Sequence, residues 1–258
     1  MSEKKDRLAP EKTPSWAVVL GLTGVAGGLG YVLYRLTRPP ALAPVLDLKM
    51  DEGEGTIAHD TSGHGNHGDL KPGPAPNYPT WVDGYYEKAL SFDGVDDYVD
   101  CGSRESLDIT GAITIEAWVK PAGVSGANAE LVGKTEDYKG YSFYLGPNGD
   151  IIRLLLGTGT WIFGPAYSWP NGYGVWYHIV GRWDGTDVRL FANGVDIGSP
   201  ASLTGSILTT TNTLKIGKHY ALASYFNGTI DEVRIYNRAL SADEIKAHFL
   251  GARVPKAW

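Results

Sequence analysis

Residues 176–198 read WYHIVGRWDGTDVRLFANGVDIG, three short runs broken by Asp184-Gly185 and Asn193-Gly194. Each pair supplies the positive φ angles of a tight hairpin. Apolar and polar residues alternate between them, so the segment reads as three antiparallel strands. The same grammar continues outward in both directions. Further Asp-Gly and Asn-Gly pairs stand at 93–94 and 148–149, and strand-like runs cover 89–92, 112–120, 141–145, 151–156, 213–216 and 228–236. Strands at this spacing predict an all-β fold, a two-sheet antiparallel jelly-roll sandwich. Near the end, Ser241 and Glu244 form a capping box that opens a short C-terminal helix reaching about residue 249. That helix is expected to close one edge of the sandwich.

Composition agrees. Among 258 residues are 34 glycines, 15 prolines, 15 tyrosines and 8 tryptophans, a supply of turn and strand formers that suits a single β core. The net charge of −6 comes from interleaved signs, and no basic stripe is present to neutralise a phosphate backbone, which argues against nucleic acid as a partner. Cys101 is the lone cysteine, so an intrachain disulfide is not available.

Ahead of the strands, residues 15–34 read SWAVVLGLTGVAGGLGYVLY without a charge. As a helix this run covers the hydrocarbon core of about 30 Å. Trp16 lies at one end, Tyr31 and Tyr34 at the other, and Arg35 and Arg38 follow, the anchoring pattern of a membrane interface. An N-terminal transmembrane helix over 15–36, with the lipid bilayer as its partner, is therefore expected. A cleaved signal peptide is the rival reading, because Ala41-Leu42-Ala43 imitates a cleavage site, but two arginines separate it from the apolar run. Gly24 and Gly28 form a GxxxG pair, and Ala17 and Gly21 repeat the spacing, so a homo-oligomer through this face is allowed. Lys4, Lys5, Arg7 and Lys12 precede the span and outnumber Arg35 and Arg38 after it. This places the N-terminus inside and the C-terminal domain outside, at a cell or virion surface. The chain thus divides into a polar tail (1–14), a span (15–36), a proline-rich stalk TRPPALAP (37–44), a domain (45–250) and a tail (251–258).

Candidate ligand-binding residues gather in the Gly- and Pro-rich stretch 158–173. Trp161, Tyr167, Trp169 and Tyr173 there offer aromatic faces suited to sugar rings or to another protein surface. Against this stands the reading that Trp161 and Trp169 simply cover the end of the core. His64 and His67 lie in a glycine-rich turn without a second cluster at zinc-like spacing and read as loop residues. Asp96, Asp97 and Asp100 cluster in a turn. His178 reads as a packed or solvent-facing residue with no nucleophile suggested beside it. Asn227 opens a sequon that is equally a hairpin turn.

Six motifs occur in order: DEGEG (51–55), HDTSGHGNHG (59–68), ALSFDGVDDYV (89–99), TIEAWVKP (114–121), WYH (176–178) and FNGTIDEVRIYNRALS (226–241). Together they resemble the laminin G-like jelly-roll domains of the concanavalin A-like lectin and glucanase superfamily over nearly all of 45–250. The resemblance implies two packed antiparallel sheets, one concave, with the chain ends side by side. It also implies a structural calcium ion, for which Asp231 is the matching carboxylate and the glycine-rich loop adds Asp60 and Asn66 as further ligands. Hydrolases in the superfamily look like they carry Glu-x-Asp-x-x-Glu on one strand, whereas the nearest strand here has Glu116 alone. No enzyme is expected. Two readings stay open, a surface-exposed module that binds carbohydrate or a surface ligand, and a structural or adhesive protein of a virion or cell envelope.

Overall fold

The computed structural model describes residues 43–71 and 78–251; the expected tail and span, most of the stalk and the last seven residues lie outside them. Among the described residues no helix is long and apolar enough to cross a membrane.

Strands are numbered along the chain. One sheet has eight, ordered β15 (Val195–Ser202), β14 (Asp187–Ala192), β13 (Tyr177–Trp183), β7 (Ile113–Pro121), β17 (Asn227–Tyr236), β5 (Lys88–Asp93) and β4 (Thr80–Asp83), with β1 (Leu46–Leu48) also on β17. The other has nine, ordered β11 (Trp161–Phe163), β10 (Ile151–Thr158), β9 (Lys139–Tyr144), β8 (Glu130–Glu136), β16 (Lys215–Ile216), β6 (Tyr98–Asp100), β3 (Gly68–Lys71) and β2 (Ile57–Ala58), with β12 (Tyr167–Ser168) on β10. Each of these pairings is antiparallel.

Because side chains alternate across a strand, each sheet presents one apolar face. Ile115, Ala117 and Val119 of β7, with Ile230, Val233 and Ile235 of β17, share one core with Leu131, Phe143, Leu154 and Leu156 of the nine-stranded sheet. The hairpins follow the turn chemistry. Trp183 pairs with Val188 around Asp184-Gly185, and Asn193 and Gly194, at φ 51° and 76°, turn β14 into β15. The two ends of the domain do lie side by side, since Leu46 of β1 pairs with Ile235 of β17.

Helix α1 (Ala242–Phe249) has the expected capping box, in which Ser241 Oγ accepts from Glu244 N and Glu244 Oε2 accepts from Ser241 N. Its position corrects the sequence reading. It covers a face of the sandwich, not an edge: Ile245 and Leu240 bury against Val180, Phe191 and Tyr236 on the outer side of the eight-stranded sheet. Those three residues point away from the main core and would otherwise leave an apolar patch in water.

Candidate functional site

The outer face of the nine-stranded sheet is built in rows across β8, β9 and β10. Glu130, Tyr144 and Arg153 are cross-strand neighbours, as are Gly133, Ser142, Leu155 and Phe163, and then Thr135, Gly140, Gly157 and Trp161. The residues between them, Leu131, Phe143 and Leu154, face the core. A bulge between Glu130 and Val132 makes this possible, because the extra residue lets Leu131 and Val132 both turn inward while Glu130 faces out. Opposite, the loop between β16 and β17 lays His219 and Tyr220 beside the same strands. A cleft of about 180 Å³ results, with aromatic walls of Tyr144, Trp161, Phe163 and Tyr220 and polar groups from Asn128, Glu130 and His219.

Glu130 sits at the bottom, 2% exposed. Thr135 Oγ1 donates to its two oxygens at 2.8 and 2.9 Å. Gly133 leaves room for the carboxyl group, since a Cβ there would collide with Glu130 Oε2 and with Ser142. Burial raises the Glu130 pKa to about 8, against the opposing pull of Thr135, Ser142 and Lys215, so the group is mostly protonated at neutral pH. Tyr144 donates its hydroxyl to Asn128 Oδ1 at 2.5 Å, and Tyr220 donates to Asp137 Oδ1 at 2.5 Å. Burial and the Asp137 carboxylate push the Tyr220 phenol up to about 12. His219 Nδ1 accepts from Ala221 N and Leu222 N at 3.1 and 3.0 Å, which leaves the proton of the neutral ring on Nε2. Burial and Lys215 lower the pKa of this imidazole. The cleft is therefore lined by uncharged hydrogen-bonding groups set among aromatic faces.

On the other outer face, under α1, an ionic cluster is closed from water. Glu116 Oε1 meets His178 Nε2 at 2.9 Å and Arg234 Nη1 at 3.4 Å, and Oε2 meets His248 Nδ1 of α1 at 2.9 Å. Arg234 also holds Asp47 of β1 and Glu232. Although burial acts to raise it, these partners hold the Glu116 carboxyl well below the usual carboxylate range. The rings of Trp118, His178 and Phe249 pack against one another, and Tyr85 stacks on Trp118 at 3.4 Å. This arrangement ties β1, β7, β13, β17 and α1 together and is structural.

A family model described as the concanavalin A-like lectin/glucanases superfamily, of the laminin G type, matches residues 93–246. The chain belongs to that superfamily. Similar solved structures include domain 4 of AbnA, a GH43 extracellular arabinanase from Geobacillus stearothermophilus, solved in complex with arabinotriose. It is 20% identical, with a TM-score of 0.64 over 79% of this chain and 97% of that one. The binding domain of Paraclostridial Mosquitocidal Protein 1 is 20% identical with a TM-score of 0.65, and botulinum neurotoxin type C, whose cell entry depends on two ganglioside molecules, is 15% identical with a TM-score of 0.59. Each aligns with 82% of this chain, which spans 52% of either toxin chain. At these identities the likeness is one of fold. No curated protein matches the chain.

Within this superfamily fold the expected aromatics separate. Trp161 lines the cleft. Trp169, at 9% exposure, is part of the core and packs on Tyr177, and Tyr167 of β12 is half-buried against the same core. Tyr173 is exposed in a loop and is not among the cleft residues. The sequence reading missed Glu130, Tyr144, Phe163, His219 and Tyr220; the alternation of YSFY at 141–144 carried the only local signal, for Tyr144.

The residues expected around a metal also separate. Asp60 Oδ1 accepts from Asp47 N and Ser62 N, and Oδ2 accepts from Ser62 Oγ and Asn66 N. Its lone pairs are thus used by the loop and by β1. Asn66 Nδ2 donates to Val45 O and Ser106 Oγ. Asp231 belongs to a different group: Oδ2 accepts from Tyr85 N and Tyr86 N, while Oδ1 is buried without a hydrogen-bond partner among the described residues. His67 Nδ1 accepts from Asp60 N.

Proposed function

We propose that the domain is a non-catalytic binding module that takes a carbohydrate in the cleft between Trp161, Phe163, Tyr144 and Tyr220. The observation that carries this reading is the cleft's composition. Flat aromatic faces stand beside a protonated carboxyl, an amide, two phenols and a neutral imidazole, which suits the alternating apolar and hydroxyl surfaces of a sugar. The arabinotriose held by the arabinanase domain is in keeping with it. A glycosidase needs two carboxyl groups facing the scissile bond, and Glu130 is the one carboxyl group lining the cleft. Titration calorimetry of the full chain in detergent against an oligosaccharide panel tests the reading. Trp161→Ala and Phe163→Ala should each weaken binding several-fold, since a stacked ring contributes on the order of 0.5–1.5 kcal/mol. Normal binding by both variants at unchanged melting temperature overturns the site.

Residues 15–36 are proposed to anchor this module in a bilayer, N-terminus inside, displaying the domain on a cell or virion surface. Extraction of the full chain by detergent but not by high salt or alkali is expected, and release by alkali alone counts against it. A calcium ion is proposed at Asp231 rather than within the Asp60–Asn66 loop. The unpartnered buried Oδ1 supports this, as do the Glu232 Oε1 oxygen, also buried without a partner, and the field of Asp51. Binding of the ion at a hundredfold excess over its Kd would add about 2.7 kcal/mol. The melting temperature should fall in chelator and recover with calcium, and Asp231→Ala should abolish the response; identical melting with and without chelator refutes it.

A further inference from the structure

We infer that the cleft's ligand is an acidic saccharide, with a carboxylate or sulfate group received by Arg153. The inference rests on the cleft being a saccharide site and names the class of sugar. Arg153 stands in the row Glu130, Tyr144, Arg153, on the same outward face and directly beside the cleft wall. Its guanidinium lies over the ring of Phe163 at 6.0 Å, and Leu155, two residues on, is another cleft residue. The aromatic contact fixes the planar fork without using any of its donors.

Those donors are idle. Among the described residues Arg153 has no hydrogen bond or ion pair, and its Nε is buried without a partner there. A buried donor left unmade costs about 1–3 kcal/mol. Arg182, Arg189, Arg234 and Arg238 each hold a carboxylate, so this chain, at net charge −6, has ample acid to satisfy an arginine where the role is structural. Lys215 on the same outward face likewise has no ion pair among the described residues, and its charge is felt at both Glu130 and His219. Among the described residues Arg153, beside the cleft wall, has no acidic partner, and the cleft's own carboxyl group is uncharged near neutrality. A guanidinium fork matches the paired oxygens of a carboxylate or sulfate in two parallel hydrogen bonds, and a neutral sugar would leave it unmatched.

The test is calorimetry of the full chain in detergent with paired oligosaccharides: uronates with their methyl esters, sialosides with their methyl esters, and sulfated sugars with their desulfated forms. At least one acidic member should bind tenfold or more tighter than its neutral counterpart. Arg153→Gln should remove that difference without lowering the melting temperature, and Arg153→Lys should restore part of it. The carboxylate and sulfate arms separate the two anions. Equal affinity for both members of every pair, still dependent on Trp161, overturns the acidic class and leaves the saccharide reading in place. Binding of no member overturns both.

Discussion

Both outer faces of the sandwich bury a glutamate, and the two glutamates end in opposite states. Under α1, Glu116 is enclosed by His178, His248 and Arg234 and stays ionised. In the cleft, Glu130 has hydroxyl neighbours and a distant lysine, and burial pushes its pKa up to about 8. Equal burial therefore says nothing about charge; the partners decide, because only a compensated ion survives removal from water. The compensated face is capped by a helix and serves stability. The uncompensated face is open and is the one on which the ligand site is proposed.

The contrast should break most visibly at Glu116. Glu116→Gln takes from His178, His248 and Arg234 the carboxylate they share, and removing one partner of a buried ionic cluster costs about 3–5 kcal/mol. For a domain of this size that lowers the melting temperature by roughly 6–20 °C, to be read by calorimetry. The tryptophan pair sharpens the comparison further. Trp169→Ala should destabilise by about 3–5 kcal/mol through the cavity it opens in the core, whereas Trp161→Ala should leave the melting temperature nearly unchanged and act on binding. Equal loss of stability in the two variants would erase the distinction between core and cleft.

The two glutamates should also respond to pH with opposite sign. The Glu130 pKa is raised on folding, so its stabilising contribution is complete below the ordinary glutamate value of 4.5 and is lost as pH rises through about 8. The Glu116 pKa is lowered, so its contribution holds above 4.5 and is lost as the pH falls into strong acid. Melting curves from pH 6 to 9.5 should show Glu130→Gln gaining on the wild type as the pH rises. A constant difference between the two would contradict the protonated Glu130. The smallest effect concerns the lid on the compensated face: Ser241→Ala removes the α1 cap and should cost about 0.5–2 kcal/mol without affecting binding.

Much of the fold is legible locally. Asp-Gly and Asn-Gly turns and period-two alternation set out the hairpin from β13 through β15, and Ser241 with Glu244 marks the start of α1 within a residue, because these signals act between neighbours in the chain. The run ELVGKTE at 130–136 does not announce β8, since the bulge after Glu130 breaks the alternation. The site is hidden for a related reason. Trp161 and Trp169 stand in similar Gly- and Pro-rich surroundings, and only the pairing of β11 with β10 turns Trp161 outward while Trp169 enters the core. By itself, then, the sequence determined the all-β class, the hairpins and the helix cap. The tertiary structure decided which glutamate keeps its charge and that Arg153 lies beside the cleft with a buried unpartnered Nε. Glu116 finds His178 and His248 at 62 and 132 residues' separation, and Glu130, Tyr144 and Arg153 become neighbours only through strand register, a relation that burial and pairing create and no local pattern encodes.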